Sequence, residues 1–359
     1  MTILVALLGL IALIVIHEAG HMLAAKAVGV RVTEFAVGFG PALFKRKVGK
    51  TIYSFRVILL GGFAKMAGME DVGSVQRSAG EHGPDKYLAK PPWRRAVIIL
   101  AGPLGNLLAA VLILAAVYLV GVPTDATTEI EEVIPGSMAA ESGLQAGDSV
   151  VTVDGDDVGT WQQFQEALEG RNPGDEVTIA AERDGERKEF SGELVADPEN
   201  PDRAIVGVRP VIVYTSYGPL EALWTGIVDT ARIIGLFGWF LGELATGGVS
   251  FYDSVSSPIG VVGVSSDIAS EGGQSFARLL ALISINLAVF NLLPILPLDG
   301  GHLFFIAAEK ILGRPVRAET VNKVAAFGLA LILVLFVFAT YADLSKILAG
   351  QPFIPETDP

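Results

Sequence analysis

The chain has 359 residues, is 51% hydrophobic and has a mean hydropathy of +0.51, which is too apolar for an ordinary soluble protein of this length. It contains no cysteine, which excludes a disulfide framework and thiolate metal ligands. The formal net charge of −13 is segregated: residues 26–95 carry 13 Lys and Arg against 5 Asp and Glu, whereas 121–210 carry 6 against 21. Basic residues near helix ends mark the cytoplasmic side of a membrane. This pattern places the 29–95 loop inside and the acidic 121–210 region outside. Lys310, Arg314, Arg317 and Lys323 place the loop before the last apolar run inside as well. Four spans with both termini outside follow.

The first apolar run, about 2–28, contains His17-Glu18-Ala19-Gly20-His21, an H-E-x-x-H motif. A cleavable signal peptide fits this segment poorly, because Met1-Thr2 offers no basic side chain and the apolar run continues into His17-Glu18. Histidines four apart share one helix face and reach a single ion. Glu18 sits one step round the helix, free to act as a base toward water. In an arbitrary chain this motif is a common accident. Inside a span it would strand three costly groups, and that favours a metal. From Ile3 to His17 is about 21 Å at ~1.5 Å per residue. With the N-terminus outside, that lies about two-thirds across a ~30 Å hydrocarbon core.

Lys50 to Met66 is β-branched and aromatic, with Gly61-Gly62 as a turn signal, and predicts a β-hairpin over about 50–66. Such an apolar hairpin sinks partly into the membrane. Protein must cover its edges there, so it is expected to line a cavity between helices. Residues 70–92 are polar; His82 within them reads as a surface histidine. Trp93, Arg94 and Arg95 suit the membrane interface and lead into a second span, about 94–120. Ala101-Gly102-Pro103-Leu104-Gly105-Asn106 places small residues and a breaker inside that span, a pattern that permits close helix packing.

Residues 122–212 have soluble patterning, with short strands at Val150–Val153, Glu176–Ala180 and Glu189–Leu194 around a helix near Thr160–Glu169. Thr160 is the expected N-cap of that helix. Residues 213–275 form a connecting region, and within it 216–250 predicts an amphipathic surface helix or a poor span, given Glu221, Asp229, Arg232 and Glu243. A third span begins near Phe276 and breaks at Asn291-Leu292-Leu293-Pro294-Ile295-Leu296-Pro297-Leu298-Asp299. A fourth covers about 322–343. The C-terminal membrane part spans 276–350.

A catalytic metal site needs a third protein ligand and one open position. Asp299 is the best candidate, on broken backbone where a carboxylate can turn inward. Alternatively it is a turn aspartate before Gly300. His302 reads as support for the site rather than as a fourth ligand. Asn106 and Asn291 are helix-packing residues or substrate contacts in about equal measure. Ligand type points to one zinc per chain.

These motifs resemble the site-2 proteases, the zinc metalloproteases of family M50 that cleave within membranes, and especially the bacterial branch with one PDZ domain. His17-Glu18-x-x-His21 matches the first motif, Leu298-Asp299-Gly300 the third-ligand motif and Asn291-x-x-Pro294 the element before it. Gly61-Gly62-Phe63-Ala64-Lys65-Met66 is similar to the re-entrant hairpin, and Ala101-Gly102-Pro103-x-x-Asn106 to the span-two signature. Pro135-Gly136-Ser137 with Gly143-Leu144 and Gly147-Asp148 resembles the start of a bacterial PDZ domain. Two departures stand out. Leu296 intervenes in a Pro-x-Pro element, and Ser257-Pro258-Ile259-Gly260 has serine for a first glycine.

The resemblance implies a polytopic α-helical membrane protein of about four spans with a membrane-associated β-hairpin. The N-terminal membrane part is 1–121, and a β-rich extracytoplasmic PDZ domain is inserted at 122–212. It implies that His17, His21 and Asp299 hold Zn2+ and that Glu18 is the catalytic base. Asn106, Asn291, Gly61, Gly62 and Phe63 are the candidate substrate contacts. The expected home is the bacterial cytoplasmic membrane, with the active site toward the cytoplasm. The expected partners are the lipid bilayer, single-span membrane substrates already trimmed outside, such as anti-sigma factors or signal-peptide remnants, and a peptide end at the PDZ domain, with no nucleic acid. The non-enzymatic alternative is a PDZ-containing membrane scaffold with a structural metal site. A metal transporter is a second rival, which would need a polar route across both leaflets.

Overall fold

The computed structural model describes residues 2–69, 83–197, 200, 203–248, 261, 268, 272–314 and 316–349. His82 and the Ser257–Gly260 element lie outside the described residues. The chain divides into two units, Met1–Val117 with Gly218–Pro359, and Tyr118–Tyr217.

Among the described residues, four helices of the first unit are long and apolar enough to cross a membrane: α1 (Thr2–Ala27), α2 (Pro92–Val120), α6 (Gly273–Asn291) and α8 (Ala318–Ala349). Their outward faces agree with this. Leu4, Leu8 and Leu23 on α1 and Phe327, Val334 and Val337 on α8 are each more than half exposed. A soluble protein rarely leaves continuous apolar surface uncovered, whereas lipid covers it without cost. A fifth long helix, α5 (Pro219–Thr246), carries Glu221, Asp229, Arg232 and Glu243 among its apolar residues. Gly226 lets it approach α2, where a Cβ would lie 2.9 Å from the Val111 carbonyl. The short α7 (Asp299–Leu312) follows α6 after a break at Leu292–Leu298.

Between α1 and α2 lies a sheet longer than the expected hairpin. It comprises β1 (Val32–Val48) and β2 (Thr51–Met66), and the chain reverses at Gly49-Lys50 rather than at Gly61-Gly62. Each strand bends and contributes two segments. Val48 pairs with Thr51 and Phe44 with Phe55, while Glu34–Val37 run beside Ile52–Phe55 with both numbers rising. The same residues 34–37 pair on their other side with 62–65, as in Val37 with Gly62 and Phe35 with Ala64. The segment 62–66 is therefore an edge. Arg56 ties the bends together: its guanidinium donates to the Gly40 carbonyl at 2.7 Å and to Glu34 Oε1 at 2.6 Å, and stacks over the Phe63 ring.

The second unit is a β-rich domain with strand order β10-β3-β4-β6-β7, formed by Val208–Thr215, Val122–Val133, Ser149–Val153, Glu176–Arg183 and Glu186–Glu193. The small pair β5 (Asp156–Asp157) adds to β4, and β8 (Val195–Ala196) pairs with β9 (Ala204–Ile205). Alternating residues of these strands, with Met138 of α3 (Met138–Ser142) and Phe164 of α4 (Trp161–Leu168), enclose one core. Thr160 caps α4 as expected, accepting from the Gln163 N–H at 3.2 Å.

Asp148 is the polar keystone of this domain. Its buried carboxylate takes two hydrogen bonds from Arg183, at 2.6 and 2.7 Å, and one from the Gln145 N–H at 2.8 Å. The Arg183 guanidinium, and then that N–H, hold its pKa below the ordinary value of 3.8 against the opposing effect of burial. A lowered carboxylate pKa stabilises the fold above the ordinary value, and this stability is lost as pH falls through the lowered one. Hydrogen-exchange protection in β4 and β6 of the full chain, relative to the intrinsic rate at each pH, should thus fall on acidification below about pH 4. Asp148→Asn should show the lowered protection already at neutral pH and a smaller further drop with acid.

Candidate active site

The helix period of α1 puts His17 and His21 on one buried face, 7% and 6% exposed. That face meets α2 through small residues. A Cβ at Gly20 would run into the Ala101 carbonyl, and one at Gly102 into the His21 ring. At Gly105 a Cβ would lie 3.3 Å from the Ile16 carbonyl. Pro103 interrupts the hydrogen-bond ladder of α2 in the adjoining turn. In that region the Ile98 carbonyl accepts from His21 Nδ1 at 2.9 Å. A proton held on Nδ1 leaves the lone pair of His21 on Nε2.

The third group arrives on α7. Gly300 and Gly301 fold its first turn tightly onto the Leu292–Leu296 backbone, where side chains would collide. Asp299, the first residue of α7, then reaches the histidines. His17 Nε2, His21 Nε2 and Asp299 Oδ2 form a triangle with all three edges 3.2 Å. Tetrahedral bonds of about 2.0–2.1 Å to nitrogen and oxygen give an edge of about 3.3 Å, so the three atoms fit a zinc ion. Asp299 Oδ2 is also buried with no hydrogen-bond partner. Three converging ligand atoms this close together call for a cation between them. Among the described residues, these three form the sole cluster of this kind.

Glu18 faces the sheet. Its carboxylate accepts a hydrogen bond from the Ala64 N–H. A Cβ at Gly62 would collide with the Ala36 carbonyl at 2.8 Å and crowd Glu18 Cγ at 3.2 Å, so glycine lets this strand lie close against the glutamate. The edge segment 62–66 therefore lies directly beside the motif.

The other candidates are placed differently. Phe63 stacks on Phe39 with ring centroids 6.3 Å apart, and Gly61 packs against the Phe39 ring. Asn106 is fully buried beside His17. Asn291 donates its side-chain N–H to the Leu287 carbonyl of its own helix and is not among the residues gathered at the triangle. His302 lies outside the triangle and lines a small pocket with Tyr87, Arg95 and Glu309. The residues missed at the sequence level are Ile98 and Ala64. Both act through backbone atoms, which leave no trace in residue type.

The model of peptidase family M50 matches residues 5–335. A protein of Agrobacterium fabrum, provisionally named a zinc metalloprotease, is 33% identical over 357 residues, covering 94% of this chain and 93% of its own. Zinc metalloprotease RasP of Geobacillus kaustophilus is 28% identical over 407 residues, with 93% and 96% covered. Among solved structures, the PDZ domain of an SdrC-like protein from Listeria innocua is similar at 25% identity, covering 23% of this chain and 92% of its own, with a TM-score of 0.22. Four apolar helices of spanning length among the described residues, a β-rich domain and a His-His-Asp cluster beside a glutamate define a membrane-spanning zinc metalloprotease. The chain belongs to peptidase family M50.

Proposed function

We propose that the chain is an intramembrane endopeptidase. It hydrolyses peptide bonds within the spans of single-span membrane proteins whose outer parts have already been trimmed, as in regulated intramembrane proteolysis. The observation that carries this reading is the position of His17 and His21, buried on one face of an apolar helix of spanning length, with Glu18 one step round it. Ionisable groups are kept at such depth for function.

In this reading His17, His21 and Asp299 hold one zinc. When bound, zinc acidifies water and polarises a carbonyl group. Glu18 takes a proton from the attacking water and later returns it to the leaving amine as the C–N bond breaks. The Ala64 N–H and the strand that Gly62 lets lie close against Glu18 keep the carboxylate in place between these steps. A helical substrate hides its scissile carbonyl and must unwind first. The segment 62–66 is the edge of the sheet next to Glu18, and such an extended segment would add along it as a further strand. The charge segregation supports a cytoplasm-side active site with the β-rich domain and both termini outside. That domain filters out untrimmed ectodomains or holds a peptide end; deleting 122–212 should change which substrates are cut.

The test is to reconstitute the purified chain in liposomes with a single-span substrate lacking its outer domain, and to map the scissile bond by mass spectrometry. A cut within the apolar span is expected. Cuts confined to the flanking loops would contradict the proposal.

A further inference from the structure

The two histidines differ in how their second ring nitrogen is held. His21 Nδ1 faces a backbone carbonyl, which can only accept, so its tautomer is settled. His17 Nδ1 lies 3.3 Å from the side-chain amide nitrogen of Asn106. An amide presents either a donor or an acceptor after a half-turn, and the two ends have nearly the same shape. With nitrogen toward the ring, Asn106 donates to Nδ1, which puts the His17 proton on Nε2 and removes that atom as a ligand. With oxygen toward the ring, Asn106 accepts from Nδ1–H and Nε2 is free to bind metal. The far end of the amide gives no reason to keep the oxygen there: Asn106 Oδ1 is buried with no hydrogen-bond partner.

Asn106 has no access to substrate, being 0% exposed. Its own backbone carbonyl accepts from Ser284 Oγ at 2.8 Å, which fastens this turn of α2 to α6. The side chain is thus held at fixed depth against His17 by two packed helices.

We propose that Asn106 is a positioning residue for the zinc centre. Its amide oxygen accepts the His17 Nδ1–H and fixes Nε2 as the ligand atom. Helix α2 then supplies the outer partner of both histidines, the Ile98 carbonyl for His21 and Asn106 for His17. This inference rests on the zinc-ligand reading of His17, His21 and Asp299 given above.

The test measures zinc affinity by competition with a chelator, on the full-length protein in detergent, for the parent, Asn106→Leu and Asn106→Asp. Leucine keeps the volume and removes the acceptor, and should weaken zinc binding by about 10–100-fold, the usual effect of losing an outer partner of a ligating histidine. Aspartate can only accept, so it should hold zinc as well as the parent or better. Parental affinity in Asn106→Leu, or loss in Asn106→Asp comparable to that in Asn106→Leu, overturns the inference. If Asn106→Leu fails to fold, as judged by size-exclusion chromatography, Asn106→Asp decides alone: retained zinc supports the inference and lost zinc refutes it. A parent protein that binds no zinc would instead sink the underlying ligand assignment.

Discussion

Replacing Gly102 by alanine is expected to remove zinc and activity together. The added methyl group collides with Nε2 of His21, the atom that points at the ligand triangle. The histidine has no room to retreat, because the backbones of α1 and α2 are already in contact through Gly20 and Ala101. Overpacking at such a site costs about 1–3 kcal/mol. The cheapest relief is to swing the imidazole off the Ile98 carbonyl and out of the triangle. Zinc affinity should fall by more than ~100-fold, beyond what a change in an outer partner alone produces. Gly105→Ala is the control. Its Cβ would lie 3.3 Å from the Ile16 carbonyl, a contact that small shifts can relieve, so most zinc should remain. Metal analysis of the purified variants checks both. Full zinc occupancy in Gly102→Ala would mean that α1 and α2 do not pack at the site as described.

Glu18→Gln is the complementary case, in which zinc stays and chemistry stops. Glutamine has the volume of glutamate, and its amide oxygen can still accept from the Ala64 N–H. It cannot take up a proton at neutral pH. Loss of a general base lowers kcat by about 10²–10⁴-fold. Since Glu18 is not one of the three ligand residues, zinc content should match the parent. KM should change little, because the interaction removed belongs to the transition state. Progress curves on one substrate, with zinc measured in the same samples, separate these quantities. A variant that lost zinc with activity would make Glu18 a ligand rather than a base.

Much of this arrangement was legible in the sequence, for physical reasons. Spans announce themselves by length and hydropathy, and the four helices appear where apolar runs predict them. His17, Glu18 and His21 were readable because a helix converts a spacing of four into a shared face. Asp299 was readable because a carboxylate on a proline-broken segment has few other uses at that depth. The sheet was read only in part. Its second strand was visible as a β-branched run, but the return of 62–65 alongside 34–37 is a long-range pairing with no local signature. For the same reason Gly61-Gly62 looked like a turn, whereas Gly62 lets its strand lie close against Glu18. Asn106 was singled out, but buried polar residues in spans bind substrate, pack helices or orient ligands alike in sequence. Its distance to His17 separates those uses. Gly102 read as a packing residue; that it faces His21 requires knowing which turn of α1 it meets.

A single zinc held by His17, His21 and Asp299 serves hydrolysis, and the rest of the mechanism depends on it. The measurement that tests it most directly is zinc titration into the metal-depleted protein, with cleavage of a trimmed single-span substrate followed at each addition. Cleavage should rise from near zero in proportion to added zinc and saturate at one ion per chain, and the Asp299→Ala variant should show no such rise. Full cleavage by the metal-free protein, or one tightly bound zinc with no cleavage across a varied set of substrates, would contradict it, and the second result would favour a membrane scaffold with a structural metal.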